Sequence, residues 1–144
     1  MKLDEIQKSW ESDCEINRSE LGEESLKIAK LHSKYFNIYS NERMLMRKIE
    51  NDIKTMYRLK FEYYSGTLDH ETIKEMNWEP NPLKLLRSDV QMYLESDKQY
   101  QDLVLKQEYL KEKVDFVESI IKSLTNRGFQ IKAAIEWEKF KVGA

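Results

Sequence analysis

Residues 57 to 66, YRLKFEYYSG, combine two cations with four aromatic rings and end at a glycine. Lys and Arg side chains attract phosphate groups, and aromatic rings stack on the flat faces of unpaired bases. Single-stranded nucleic acid offers both negative charge and flat faces. The chemistry that these residue types indicate is therefore non-covalent binding of a polynucleotide strand, without readout of its sequence.

The cations of this stretch continue towards the N-terminus. Residues 43 to 60 carry six Lys and Arg residues against two carboxylates, although the whole chain has a net charge of -2. At about 100° per residue, four of them (Arg43, Arg47, Lys54 and Arg58, here the basic stripe) fall within an arc of about 60° on a helix. The candidate DNA-binding residues are Arg43, Arg47, Lys54, Tyr57, Arg58, Lys60, Phe61 and Tyr64.

Lys60 does not fit the basic stripe. On an unbroken helix its side chain points about 160° away from that of Arg58. Either the helix ends near Leu59, or Lys60 reaches round from an edge. Tyr63 also faces the apolar side of the helix, so packing rather than stacking is predicted for it.

Two interpretations of the basic stripe compete with DNA binding. The stripe can be the solvated outer surface of an ordinary amphipathic helix. It can also pair with the acidic N-terminal segment of the same or a neighbouring chain, because residues 1 to 24 carry eight carboxylates against three cations. In that case the protein is a non-enzymatic coiled-coil structural or assembly protein, and it should not bind a single strand even at low salt.

No arrangement of residues indicates catalysis. His32 and His70 lie in different predicted elements at no metal-binding spacing, and the sequence has no glycine-rich phosphate-binding loop and no serine elbow. We expect no enzyme activity, no metal and no cofactor. Cys14 is the only cysteine, which excludes an intrachain disulfide and fits a reducing cytosol, and the sequence shows no membrane-spanning segment.

The composition predicts an all-α protein with long helices, because charged residues make up 35% of the chain and only 4 Gly and 2 Pro interrupt it. A short first helix is predicted from Leu3 to the region of Cys14. Ser19 is the predicted N-cap of a long helix, or of two in series, which stops at Gly66.

The second half of the chain is predicted to be helical as well. Asp69 is expected to cap a single helical turn, and Asn81 and Pro82 are expected to begin a new helix. Ser88 or Ser96 could restart that helix after a kink, so the sequence leaves open whether it is one element or several.

Two apolar rows run along the C-terminal segment, more than a contact between two helices needs. We therefore predict a C-terminal helical oligomerisation element, in preference to an intrachain bundle that uses both rows internally. The predicted ranges are 1–66 for an N-terminal region with the basic helix, 67–82 for a linker and 83–144 for the assembly region. The predicted oligomerisation residues are Val114, Val117, Ile121, Leu124, Phe129, Ile131, Ile135 and Phe140.

Three segments together resemble a known family. RLKFEYYSG, with LHSKYFNIYS upstream and NRGFQIK downstream, resembles the UvsY recombination mediator family of T-even-type bacteriophages in order, spacing and total length. The basic and aromatic YYSG run is the most specific of the three segments, and residues 67 to 82 resemble the family least.

The resemblance implies a small helical protein that is not an enzyme and that assembles into a ring, a hexamer or heptamer. It implies binding of single-stranded DNA, and help for a RecA-like phage recombinase in replacing the phage single-strand-binding protein, in the cytoplasm of the infected bacterial host. The family's two basic DNA-contacting positions fall on Arg58 and Lys60, with the order of Arg and Lys exchanged. The exchange keeps the charge but alters any bidentate geometry.

Overall fold

The computed structural model describes residues 1–80 and 85–143, and these ranges contain helices and no strand. The predicted all-α fold is confirmed. Within the same ranges, no helix is long and apolar enough to cross a membrane. The elements are α1 (Leu3–Asp13), a 3₁₀ helix (Arg18–Glu20), α2 (Leu21–Ser65), α3 (His70–Glu75), α4 (Val90–Glu95) and α5 (Lys98–Lys141).

The long central helix α2 is one element of 45 residues. The prediction of Ser19 as its N-cap is wrong, because Ser19 lies inside the 3₁₀ helix and donates its backbone N–H to the side chain of Asn17. Gly66 stops the helix as predicted: its φ of 79° is the left-handed conformation that glycine adopts without a steric penalty.

Side-chain caps mark the helices that follow. Asp69 accepts a hydrogen bond from the backbone N–H of Thr72, which confirms its predicted role as the N-cap of α3. Asp97 does the same for Tyr100 in the first turn of α5, so this helix begins at Lys98, two residues after Ser96, the C-cap of α4. The predicted helix start at Asn81 and Pro82 lies outside the described residues.

The chain divides into two compact units, and the two long helices contribute to both. Unit 1 comprises Met1–Met44 and Leu110–Ala144, and unit 2 comprises Leu45–Tyr109. This division differs from the consecutive ranges predicted from the sequence. Helix periodicity cannot show that the first and last segments of a chain pack together, and the predicted linker at 67–82 falls inside unit 2.

The core of unit 1 is built on Tyr35 of α2. Its buried ring packs with Ile6 from α1 and with Val117, Ile120 and Leu124 from α5. The hydroxyl of Tyr35 donates a hydrogen bond to the carboxylate of Asp13 at 2.7 Å, which satisfies its polar atom at the edge of the core. Three helices thus share one apolar centre.

Arg127 fixes the end of α1 in unit 1. Its guanidinium is buried and donates to the carbonyl oxygens of Asp13 and Cys14 at 3.2 and 3.0 Å. A cation that satisfies the last carbonyls of a helix also interacts favourably with the helix dipole. Sequence reasoning missed this residue, because the carbonyls that it serves lie at the other end of the chain.

Unit 1 uses much of the apolar surface that was predicted to join protomers. Val114, Val117, Leu124 and Ile131 are buried inside the unit, and Ile121 and Ile135 are half-buried. These four buried side chains fill the chain's own core, so they present no free surface. Of the predicted oligomerisation residues, Phe129 and Phe140 are the two that are exposed.

Candidate nucleic-acid interface

The basic stripe lies on the solvent side of α2. Arg47 and Lys54 in unit 2 are exposed, as is the neighbouring Lys48, and none of the three forms an ion pair with a carboxylate of the described ranges. Arg43, in unit 1, is also exposed and lies 5.3 Å from the centre of the Tyr39 ring. Pairing with the chain's own acidic segment is therefore not what the structure shows for these cations.

Arg58 is the member of the stripe with an ionic partner. Its guanidinium lies 3.2 Å from the carboxylate of Glu62, one turn further along α2, and 62% of the Arg58 side chain is exposed. An exposed pair of this kind contributes only about 0–1 kcal/mol. A phosphate group can therefore replace Glu62 at little cost.

Two aromatic rings share the face of Lys54 and Arg58. Tyr57 and Phe61 stack with ring centres 6.3 Å apart and an angle of 17° between their planes. Since positions three, four and seven residues apart lie on one side of a helix, the two rings and the two cations form one mixed surface. The hydroxyl of Tyr57 donates to Gln91 of α4 at 2.7 Å, which fixes this ring.

Phe61 also borders a cavity of unit 2 that has a volume of about 480 Å³. Arg87 and Thr67 lie on other sides of the same cavity, together with the buried Val90. The carboxylate of Glu62 also lines this cavity, so its charges are mixed and it does not by itself favour an anionic ligand.

Lys60 and Tyr64 occupy a different environment from the stripe. Lys60 is 4% exposed, and its ammonium lies 3.0 Å from the buried carboxylate of Asp97. The Tyr64 hydroxyl donates to the same carboxylate at 2.7 Å, and the Trp78 ring covers the Lys60 ammonium at 3.9 Å. The structure thus separates these two predicted DNA-binding residues from Arg47, Lys54 and Arg58.

The buried position of Lys60 follows from helix geometry. Because α2 continues to Ser65, Lys60 has to point about 160° away from Arg58, into unit 2. There it meets Asp97, whose other oxygen accepts the backbone N–H of Tyr100 at the N-terminus of α5. We call Lys60, Tyr64, Trp78 and Asp97 the buried ionic cluster; its carboxylate also lies where the dipole of α5 favours negative charge.

The cluster affects the titration of Asp97. Burial raises the pKa of this carboxyl, but hydrogen bonds from Tyr64, from the Tyr100 backbone and from Lys60 lower the pKa by more, so that it lies below the usual value. The pKa of Asp13 in unit 1 is also lowered, because burial is outweighed by hydrogen bonds from Lys34 and Tyr35.

These shifts predict a loss of stability in acid. A carboxyl whose pKa is lower in the folded chain stabilises the fold above its unfolded pKa of about 4, and this contribution disappears as the pH falls through the folded pKa. We expect the free energy of unfolding to fall below about pH 4, and to fall less steeply in Asp97→Asn. Urea unfolding at a series of pH values measures this, with exposed Asp102→Asn as the control. Equal slopes for wild type and Asp97→Asn would contradict the prediction.

Comparison with known proteins places the chain in a family. The model of the family described as "Recombination, repair and ssDNA binding protein UvsY" matches residues 9–144. The chain belongs to the UvsY family. The resemblance inferred from three sequence segments is thus confirmed, and with it the functional class of a phage recombination mediator that binds single-stranded DNA.

UvsY relatives match over nearly the whole chain. "Recombination protein uvsY" of Enterobacteria phage T4 is 25% identical over 143 residues, which cover 99% of each protein. A crystal structure of the bacteriophage T4 recombination mediator protein UvsY superposes with a TM-score of 0.86 at 25% identity, covering 99% of this chain and 98% of that one. A second crystal form gives a TM-score of 0.85 at 24% identity, covering 97% of this chain and 99% of that one, which supports the fold.

Proposed function

We propose that this protein binds single-stranded DNA along the exposed cations of α2 and helps a RecA-like phage recombinase to replace the phage single-strand-binding protein on that strand. The proposal depends chiefly on one observation. Arg43, Arg47 and Lys54 are exposed and form no ion pair with the carboxylates of residues 1–80 and 85–143. Such cations gain free energy by releasing counterions from phosphates.

Each part of the surface has its own role in this proposal. Arg47, Lys54 and Arg58 neutralise phosphates, and Phe61 offers a ring on which a base can stack. We assign Lys60 and Tyr64 a positioning role, because the buried ionic cluster holds α2 to the start of α5 and so orients the mixed surface. The two residues act on the strand through the helix that carries them.

Assembly multiplies the few cations of one chain. We propose a ring-shaped homo-oligomer, a hexamer or heptamer, joined through the exposed aromatic face of α5, where Trp137 stacks on Phe140 with ring centres 5.5 Å apart. Linked sites bind one strand with a raised effective concentration. If the ring-shaped oligomer binds a bent or extended strand more tightly, it would present the DNA in the form on which a recombinase nucleates. The protein would act without catalysis, in the cytoplasm of the infected bacterium.

Removing cations should weaken binding in proportion to their number. A plot of log affinity against log salt concentration has a negative slope. We expect Arg58→Ala to make this slope shallower by about 0.7 per protomer, and the triple variant Arg47→Ala, Lys54→Ala, Arg58→Ala to make it shallower by about 2. Fluorescence anisotropy of a labelled dT oligonucleotide between low and moderate salt measures the slope. Arg18→Ala, which removes an exposed arginine of the 3₁₀ helix, is the matched control.

The same titration tests the competing structural function. A structural assembly protein would show no appreciable binding of the oligonucleotide even at low salt, in which case the proposed function is wrong. Triple-variant binding with an unchanged slope would instead show that the strand lies on other residues.

A further inference from the structure

A row of rings precedes the basic stripe on α2, entirely within unit 1. The rings of His32 and Phe36 are stacked, with centres 5.8 Å apart and 12° between their planes. Phe36 lies 6.0 Å from Tyr39, and the Arg43 guanidinium lies 5.3 Å from the centre of the Tyr39 ring. One continuous surface thus runs from an imidazole through two rings to a cation.

Phe36 in this row is not part of the core of unit 1. The side chain is 47% exposed, and neither Phe36 nor His32 belongs to the core around Tyr35. The core takes Leu31, Ile38 and one side of Tyr39 from this part of α2. A large exposed aromatic residue beside a cation is typical of a surface that binds a ligand.

The charges around the row favour an anionic ligand. Glu42 is the only carboxylate between residues 25 and 47. It is buried and paired with Lys113 of α5 at 2.7 Å, so it does not face the rings. At about 100° per residue, His32, Phe36 and Arg43 lie within an arc of about 40° on α2. On this face, α2 itself therefore presents rings and a cation to a polyanion, without a carboxylate of its own.

We propose that His32, Phe36 and Arg43 form a second contact site for single-stranded DNA, in which an unpaired base stacks on Phe36 and a phosphate pairs with Arg43. This inference rests on the proposed function, and it extends the strand's binding surface to the N-terminal half of α2. Bases of any identity can stack on a phenyl ring, so the site reads no sequence. Arg43 belongs to both the basic stripe and this site, whereas His32 and Phe36 have no role in the stripe.

The test separates stacking from charge. One stacked base contributes about 1–3 kcal/mol, so Phe36→Ala should weaken binding of a dT oligonucleotide by about 5- to 150-fold. An abasic oligonucleotide of the same length and charge should bind Phe36→Ala and wild type equally. Phe36→Tyr should keep wild-type affinity, and Leu26→Ala, an exposed apolar residue of the same helix, is the control.

Three results would overturn the inference. Equal dT affinity for Phe36→Ala and wild type would show that no base stacks there. Equal losses on dT and abasic strands would show a structural effect, which circular dichroism would reveal. A changed particle mass without any base-dependent loss would assign the rings to contact with a second copy of the chain. If Arg58→Ala still weakens binding in these cases, the proposed function stands although this inference is wrong. If the wild-type protein binds neither the dT nor the abasic oligonucleotide, both the proposed function and this inference are wrong.

Discussion

Replacing Lys60 with alanine should lower the free energy of unfolding by about 3–5 kcal/mol, the loss expected when one partner of a buried ion pair is removed. The Asp97 carboxylate would remain buried, with the Tyr64 hydroxyl and the Tyr100 N–H as its hydrogen-bond donors and without the cation 3.0 Å away. The Trp78 ring would lose the ammonium that it covers. Urea unfolding followed by circular dichroism measures the change.

Lys54→Ala is the matched control, because Lys54 is an exposed lysine of the same helix. Its removal should change stability by about 0.5 kcal/mol or less. Lys60→Met combined with Asp97→Asn should recover part of the stability lost in Lys60→Ala, since no charge stays buried and the asparagine oxygen can still accept the Tyr100 N–H. If Lys60→Ala proved as stable as Lys54→Ala, Lys60 would not be buried in solution, and its predicted contact with DNA would regain support.

Charging the exposed face of α5 should dissociate the proposed assembly without unfolding the chain. Phe129 and Phe140 are 74% and 72% exposed and lie within about 20° of each other around the helix. An aspartate at either position stays solvated in a single chain but is buried without a partner in an apolar contact between chains. We expect Phe129→Asp with Phe140→Asp to reduce the particle mass, measured by light scattering, to that of one chain.

Two further variants make this result specific. Ser123→Asp adds a charge at an exposed position of the same helix and should leave the mass unchanged. Leu124→Asp places a charge in the core of unit 1 and should unfold that unit. A particle that keeps its full mass in the double Phe variant would show that another surface joins the protomers.

Dissociation should also change DNA binding. Single chains would keep their exposed cations but lose the raised effective concentration of linked sites. The double Phe variant is therefore expected to bind an oligonucleotide more weakly than wild type, and with a smaller dependence on salt.

The features that the sequence predicted well are decided within one helix or one turn. Gly66 and Asp69 mark helix ends through their own backbone and side-chain chemistry, and both act as expected. The exposed cations of α2 follow from periodicity alone. Ser19 failed as a cap because Asn17, two residues earlier, is an equally good capping residue and accepts the hydrogen bond.

The features that the sequence did not predict depend on a partner elsewhere in the chain. Glu42 interrupts the apolar pattern of α2, yet it is buried because Lys113 of α5 neutralises it at 2.7 Å. The family resemblance pairs Lys60 with Arg58 as a DNA contact, whereas the direction of Lys60 on an unbroken helix already indicated the opposite face. The signal that could have found its partner is Asp97, which stands at the start of a long helical stretch.

The helical periodicity of the sequence also could not show which helix packs on an apolar row of α5. Val117 and Leu124 are seven residues apart, a heptad spacing, which shows only that this side of α5 is buried away from solvent. A helix from the same chain and a helix from another copy fit the pattern equally well. The structure resolves this for the buried residues by placing α1 and α2 against them.

The pair formed by Lys60 and Asp97 in this chain leads to an expectation for the sequences of its relatives. Losing either charge alone leaves the other buried without a partner. A substitution of one residue should therefore favour a matching substitution of the other. Positions 60 and 97 should therefore co-vary among homologues as a lysine or arginine with an acid, or as two neutral residues. Arg47 and Lys54, which face water, should be free to drift individually as long as the total positive charge of the helix persists.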